Sequence, residues 1–286
     1  MASEPLAAAT TRRVVQASGE RFWSPAVTRC AIIVGLLLAW EILPRMGVIS
    51  RLFVPSLSET LQVVVTDRAE YAEALWVTLG EVCAGLVIAC GGGILGGALL
   101  GSVAVLRRLF LPVASSIYAV PVVILYPILT VWLGIGPESK IAFAGLYGFF
   151  PTMLATAAGI RTIDPNYLLA ARSMGATLPQ QILRVIIPAS IPTVLAGLRL
   201  GGVLVIVGVV VSEMLTSTAG IGYLVTRYRT VLDSAHVFAA VLLIVLLTLL
   251  FDSGTRLLER RTAIWRPQSR DGSPRASRAA SIAPAQ

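Results

Sequence analysis

Long apolar segments alternate with short polar stretches along the 286-residue chain. A helix needs about 20 mostly apolar residues to cross a bilayer. Six segments reach that length, at residues 30–49, 77–105, 113–134, 141–160, 195–216 and 236–257. The pattern therefore predicts an all-α membrane protein with six transmembrane helices.

The apolar segments divide the chain into a transmembrane domain and two tails. The first apolar segment is not expected to be a removed signal peptide, because it begins too far from the chain start and no small-residue cleavage site follows it. Pro44 interrupts this segment, and Pro121 and Pro127 interrupt the third, which makes these two the hardest to delimit. We expect an N-terminal tail at 1–29, a six-helix transmembrane domain at 30–257, and a disordered C-terminal tail at 258–286 that is rich in Arg and Ser.

Composition agrees with a membrane protein and narrows its partners. Charged residues make up 13% of the chain, whereas soluble domains have about 25%. The net charge is +8. With the N-terminus inside, seventeen of the 23 Lys and Arg residues fall on the side of the termini and six on the other. This positive-inside pattern places both termini in the cytoplasm, and the basic excess requires no nucleic-acid partner.

Cysteine, histidine and lysine give no sign of a metal or nucleotide site. Cys30, Cys83 and Cys90 lie in apolar segments, and an odd number without His or acidic companions argues against disulfides and metal binding. His236 opens the sixth segment, where an interfacial position is favoured over a proton relay. A Walker-type loop needs a Gly-Lys pair, and the sole lysine, Lys140, follows "GPES". We expect no cofactor in this chain and no enzymatic activity.

Between the fourth and fifth segments, the residues predict two short helices. Asp164 before Pro165 is typical of a helix N-cap and first turn, and Gly175 of a helix end. A capping-box pattern at 177–180 begins the second helix, which we expect to end before Pro188 because a residue preceding proline avoids the α region. Each helix is about 15 Å long, half the hydrocarbon core, so neither crosses it.

Two interpretations of this helix pair stay open on the residues alone. The small residues Ala170 and Ala171 allow another protein to approach closely, and apolar residues recur at helical spacing, which favours docking. Arg172 and Arg184 equally suit two helices that lie on the lipid headgroups.

The same stretch resembles the signature of the membrane-spanning subunits of bacterial ABC importers that work with a solute-binding protein. That signature is Glu-Ala-Ala, three residues, Gly, nine residues, and Ile-x-Leu-Pro. This chain keeps the spacing, with Leu169-Ala170-Ala171, Gly175 and Val185-Ile186-Ile187-Pro188. Leu169 stands where the signature has glutamate, a departure that affects any ion pair of that glutamate and not the docking shape.

The resemblance covers nearly the whole chain, from "VPSLSET" at 54–60 through "WLGIGPESK" at 132–140 to "VVVSEML" at 209–215 and "GIGYLV" at 220–225. Within this family, the chain is similar to the branch that imports nitrate, alkanesulfonates and taurine. It implies a type I ABC importer fold, with a cytoplasmic coupling-helix loop between the fourth and fifth transmembrane helices. The implied ATPase-coupling residues are Asp164, Ala170, Ala171, Arg172, Gly175, Ala176, Ile187 and Pro188.

The resemblance also implies partners, a location and a mechanism. The partners are a cytoplasmic ABC ATPase in two copies, which uses ATP and Mg²⁺, a second permease copy, a periplasmic or lipid-anchored solute-binding protein, and membrane lipids. The location is the bacterial cytoplasmic (inner) membrane. The binding protein docks on the outer loops 50–76 and 217–235, and closure of the ATPases moves the coupling helices in an alternating-access cycle.

Glycine rows, prolines and one buried acid are the remaining candidates for helix packing and for the solute pathway. Glycines four residues apart, in rows at 93–101 and 197–201, let helices approach closely; packing within the bundle is favoured over a dimer seam. Pro121 and Pro127 break the third span, which makes it the first choice to line the solute pathway. Glu213 is costly in the membrane, so it is either a pathway residue or a structural bond to a neighbouring helix.

Two other classes stay open: a secondary transporter, which usually has inverted repeats, and a membrane receptor or assembly protein. We find no convincing internal repeat and no charge pair at matching depths. The residues do not select a substrate among nitrate, taurine, other sulfonates or an uncharged pyrimidine-like compound.

Overall fold

A computed structural model describes residues 25–262, all of its regular elements helical. Twelve α-helices follow one another in this part of the chain: α1 Pro25–Arg45, α2 Leu57–Thr66, α3 Arg68–Leu86, α4 Gly93–Ser102, α5 Ala104–Tyr118, α6 Tyr126–Leu133, α7 Pro137–Arg161, α8 Pro165–Ser173, α9 Leu178–Gln181, α10 Ile187–Thr216, α11 Ile221–Thr230 and α12 Ser234–Thr262. Most of the two predicted tails lies outside the described residues, although α1 includes 25–29 and α12 includes 258–262.

The predicted number of transmembrane helices is confirmed within this described part. Five apolar helices are long enough to cross a membrane: 27–45, 68–102, 137–161, 179–216 and 234–261. The sixth span is a broken one, because α5 and the segment Val122–Leu133 meet at an angle of 85°. The predicted limits of the third span were therefore wrong, since α5 begins at Ala104, and the second span begins at Arg68 rather than at 77.

Proline determines where the third span bends. Pro121 follows the end of α5 and has an extended ψ of 105°, which leaves the helical region and opens the bend. Pro127 lies in the first turn of α6, where its missing N–H removes no helical hydrogen bond. Only one of the two prolines therefore breaks the span.

The helix α7 lies at the centre of the bundle and receives both glycine rows. A Cβ added to Gly93 would lie 2.8 Å from Thr152 Cβ, and one added to Gly201 would lie 2.7 Å from Gly148 O. The first row brings α4, and the second brings α10, into backbone contact with α7. Both rows are therefore filled within one chain, which settles the open alternative in favour of bundle packing.

The fifth span is longer than predicted because no break occurs at Pro188. Residues 182–186 form a π-helical turn that joins α9 directly to α10, so one continuous helix runs over 179–216. A π turn shifts the hydrogen-bond register and so accommodates the missing N–H of a following proline. The expected end of the second short helix before Pro188 was wrong for this reason.

The helix bundle has two ends, which we call the α8 end and the α11 end. The α8 end holds the starts of α1, α5 and α10 with α8 and α9. The α11 end holds α2, α11 and the starts of α3, α7 and α12. Apolar clusters fill the interior between them; one packs Tyr71 against Ile221 and Leu224 at the α11 end, and another packs Leu100 against Met153 towards the α8 end.

Candidate functional site

The helix α8 has defined stops at both termini. Asp164 Oδ1 accepts a hydrogen bond from Asn166 N at 2.9 Å, and Pro165 occupies the first turn, as predicted. At the other terminus Ala176 N donates to Ala171 O at 3.0 Å, and Gly175 adopts a φ of +75°. These bonds form a Schellman motif, which requires the left-handed conformation that glycine adopts without strain.

One face of α8 is buried in its own chain and the other is exposed. Ala171 is 3% exposed and seats the helix on the bundle, so this predicted residue faces inward. Ala170 is exposed, as are Leu169 at 57% and Met174 at 80%. The side available to another molecule therefore presents apolar residues together with the polar Asn166 and Ser173, and Leu169 stands where the importer signature has an acid.

Side-chain bonds join α8 to the end of α9. Arg172 Nε donates to Gln181 Oε1 at 3.4 Å, and Gln181 Nε2 donates to Ala176 O at 2.8 Å. Thr177 N donates to Gln180 Oε1 at 2.9 Å, which is one half of the predicted capping box. Six of the eight predicted coupling residues thus lie together on one two-helix element at the α8 end.

The remaining predicted site residues lie elsewhere. Ile187 and Pro188 are exposed and follow the π turn, in the first turn of α10. Pro121 lines a cavity of 190 Å³ beside Tyr118 and Tyr147, whereas Pro127 does not. Pathway roles for Pro121, Pro127 and Glu213 stay predictions.

Glu213 caps a helix at the α11 end. Its carboxylate accepts hydrogen bonds from Gly222 N at 2.7 Å and from Thr78 Oγ1 at 2.8 Å. Gly222 is in the first turn of α11, where backbone N–H groups lack helical acceptors. Gly220 has a φ of +102°, and a Cβ on it would overlap the Glu213 carboxylate. The buried carboxylate therefore fixes the turn between α10 and α11.

A buried ion pair next to Glu213 was missed by sequence reasoning. Glu81 on α3 and Lys140 on α7 are 4% and 5% exposed, and Lys140 Nζ bonds Glu81 Oε1. Lys140 Nζ also donates to Ser217 Oγ at 3.2 Å. The available signal in the sequence was Glu81, an acidic residue inside a predicted span that needs a partner.

The surface of the α11 end carries a second polar cluster. His236 Nε2 lies 3.0 Å from Asp67 Oδ2, and its ring stacks on Tyr228 with centroids 4.1 Å apart. Tyr228 Oη donates to Glu70 Oε2 at 2.7 Å. Burial, followed by this hydrogen bond to Glu70, raises the pKa of Tyr228 to about 12. Burial raises the pKa of Asp233, but hydrogen bonds from His236 outweigh it and hold this pKa below its usual value.

Arg199 also has a specific partner. Arg199 on α10 pairs with Asp252 on α12. Asp252 also pairs with Arg256, at 2.8 Å. This pair joins α10 to α12 and brings the two opposite charges together.

Comparison with known proteins adds the following similarities. Residues 92–264 match the family model for the binding-protein-dependent transport system inner membrane component. The chain is 29% identical to the putative aliphatic sulfonates transport permease protein SsuC of Bacillus subtilis, over 85% of this chain and 88% of that protein. It is 29% identical to the taurine transport system permease protein TauC of Escherichia coli, over 80% of this chain and 86% of that protein.

A solved structure shares the fold. One chain of an inward-facing MetNI methionine ABC transporter superimposes with a TM-score of 0.61 at 18% identity, covering 68% of this chain and 97% of that one. The predicted type I ABC importer fold is therefore confirmed.

Proposed function

The chain belongs to the family of binding-protein-dependent transport system inner membrane components, and on this premise we propose that it forms the solute pathway of an ABC importer. A separate ATPase docks on the α8–α9 element and supplies the energy. A solute-binding protein delivers the solute at the α11 end. Two copies of the chain and two ATPase copies, with ATP and Mg²⁺ bound by the ATPases, complete the assembly.

The observation that carries this proposal is the form of the α8–α9 element. Its helix α8 is too short to cross the membrane, is stopped by an N-cap and a Schellman motif, and exposes the apolar residues Leu169 and Met174. An exposed apolar face on a fixed helix suits docking better than solvent. The arginine distribution supports a cytoplasmic position for this end of the bundle, with both termini in the cytoplasm of a bacterial inner membrane.

A small sulfonate is the proposed cargo. The relatives SsuC and TauC are named for aliphatic sulfonates and taurine, and the similarity to each extends over at least 80% of this chain. Selection among these compounds belongs to the solute-binding protein. Calorimetry of that protein with taurine, an alkanesulfonate, nitrate and a neutral pyrimidine tests the cargo; binding of the pyrimidine alone would contradict it.

Two glycines with matched geometry test the coupling element. Gly175 and Gly47 both have a φ of +75° and open space at the Cβ position, but they lie at opposite ends of the bundle. Valine strains either backbone by about 1–2 kcal/mol. We expect Gly175→Val to lose most co-purified ATPase and ATP-dependent uptake, because it alters the end of α8.

Gly47→Val is the control for backbone strain as such, and it should retain the ATPase. Folding of both variants is checked by thermal unfolding in detergent. Unchanged ATPase association and uptake in Gly175→Val, or an equal loss in both variants, would remove α8 as the coupling helix.

A further inference from the structure

Three arginines line a cleft at the α8 end. This arginine cleft has a volume of 500 Å³ and lies among the ends of α4 and α7, the start of α5, and α8; its charged residues are Arg107, Arg161 and Arg172. Arg107 Nη1 donates to Gly101 O at 3.1 Å, which fixes this side chain at the cleft wall. No lining residue is acidic, and none of the three arginines forms an ion pair with a described residue. The cleft therefore concentrates uncompensated positive charge.

An apolar groove lies next to this cleft. It has a volume of 410 Å³, and side chains of α4, α5 and α7 line it, among them Leu99, Leu106, Phe110, Val113, Ile117 and Met153. Leu106 lines the groove and the next residue, Arg107, lines the cleft, so the two spaces are neighbours at the start of α5. From Leu106 to Ile117 the helix rises about 16 Å, close to half the thickness of the hydrocarbon core. The groove thus has the length of one leaflet.

We propose that the arginine cleft and the apolar groove together bind one acidic phospholipid of the inner leaflet. Its phosphate lies among the three arginines, which form strong charge-assisted hydrogen bonds to phosphate oxygens. One acyl chain lies in the groove, whose apolar walls favour hydrocarbon over water. Free phosphate would occupy the cleft and not the groove, whereas an apolar helix of a second copy would cover the groove and not the arginines.

The proposed lipid connects the coupling helix to the bundle. Arg107 belongs to α5, Arg161 to α7 and Arg172 to α8, so a phosphate held by all three joins three helices. This inference rests on the proposed function for one point, the cytoplasmic position of the α8 end, because acidic lipids concentrate in the cytoplasmic leaflet.

Lipid binding to the purified full-length chain tests whether the arginine cleft prefers an acidic headgroup. Native mass spectrometry compares phosphatidylglycerol with phosphatidylcholine carrying the same acyl chains. We expect phosphatidylglycerol to bind about tenfold more tightly, a difference of about 1.4 kcal/mol. The double substitution Arg107→Gln with Arg161→Gln should abolish this preference. Arg108→Gln is the matched control, since Arg108 follows Arg107 on α5 and does not line the cleft.

Substitutions on α5 test whether the apolar groove holds an acyl chain. Val113 is 52% exposed and lines the groove, whereas Val105 is 66% exposed and does not. Tryptophan at either position should leave the chain folded, which thermal unfolding checks. We expect Val113→Trp to lower the affinity for phosphatidylglycerol about tenfold, and Val105→Trp to leave it unchanged.

Three results would overturn the proposal. The first is equal binding of the two lipids. The second is full displacement of phosphatidylglycerol by inorganic phosphate at equal concentration, which would identify free phosphate as the ligand. The third is an efficient disulfide between Val113→Cys in two copies within native membranes, which would place a second copy on the groove. All three readouts are independent of ATPase binding and uptake, so failure of the coupling test leaves this proposal standing, and the reverse also holds.

Discussion

The two ends of the bundle are held together in different ways. At the α11 end a buried ion pair, Glu81 with Lys140, and the capping carboxylate of Glu213 join α3, α7, α10 and α11. At the α8 end, α8 is seated by Ala171 and by a long hydrogen bond between Arg172 and Gln181. Removing one partner of a buried ion pair costs several kcal/mol, whereas a long, partly buried hydrogen bond contributes less. The α11 end is therefore built to stay assembled, and the α8 end to exchange contacts.

The largest effect is expected when the buried pair at the α11 end loses one partner. Glu81→Leu leaves the Lys140 ammonium buried without a carboxylate and should lower the free energy of unfolding by about 3–5 kcal/mol. Equilibrium unfolding of the full-length chain in mixed micelles measures it. Replacing both residues by leucine should recover most of the loss, because no unpaired charge remains. A double variant as unstable as Glu81→Leu would contradict the assignment.

The next effect concerns the close packing between the two ends. A Cβ on Gly97 would lie 2.6 Å from Thr156 Cβ, whereas Gly80 has open space at the same position. Gly97→Val should destabilise the bundle by about 1–3 kcal/mol more than Gly80→Val, because overpacking forces α4 away from α7. The same unfolding experiment compares them, and equal stability of the two variants would be inconsistent with this packing.

At the α8 end the expected effect is smaller and local. Asp164→Ala removes the N-cap of α8 and should destabilise this helix by about 1 kcal/mol, while Asp164→Asn keeps an acceptor oxygen and should change little. Hydrogen exchange should therefore become about fivefold faster in α8 of the alanine variant, with global stability nearly unchanged. Equal exchange in the two variants would mean that the cap does not hold the helix.

The smallest effect is a pH dependence on the surface of the α11 end. Because the pKa of Asp233 is lowered in the folded chain, its ionised form stabilises the fold at neutral pH, and this contribution is lost as pH falls through the lowered pKa. Asp233→Asn should lower the melting temperature slightly at neutral pH, with an effect below about 1 kcal/mol. The difference from wild type should disappear at acidic pH. Glu73→Gln, an equal change of charge on α3, controls for net charge; a difference that grows towards acidic pH would reverse the assigned sign.

Sequence periodicity was sufficient for the spans and for α8. Five of the six apolar segments correspond to single long apolar helices, the third corresponds to a bent pair, and Asp164, Pro165 and Gly175 occupy the predicted cap and turn positions. These features depend on residues within a few positions of one another. Local chemistry therefore determines them.

Features that depend on distant residues could not be predicted in the same way. Glu81 and Lys140 are far apart in sequence, and nothing local identifies one as the partner of the other. Pro188 appeared to end a helix because proline rules describe α-helical geometry, whereas the chain accommodates it with a π turn. The inward direction of Ala171 depends on how α8 lies on the bundle, which spacing within α8 does not specify.

The continuous helix over 179–216 has a mechanical consequence. Its 38 residues give a rod about 57 Å long, with the α8–α9 element at one extremity and Glu213 near the other. Such a rod works as a lever: a tilt of about 5° around its midpoint displaces each extremity by about 2.5 Å in opposite directions. Motion applied at Pro179 would thus reach the turn that begins α11 along one helix, by way of the π turn at 182–186.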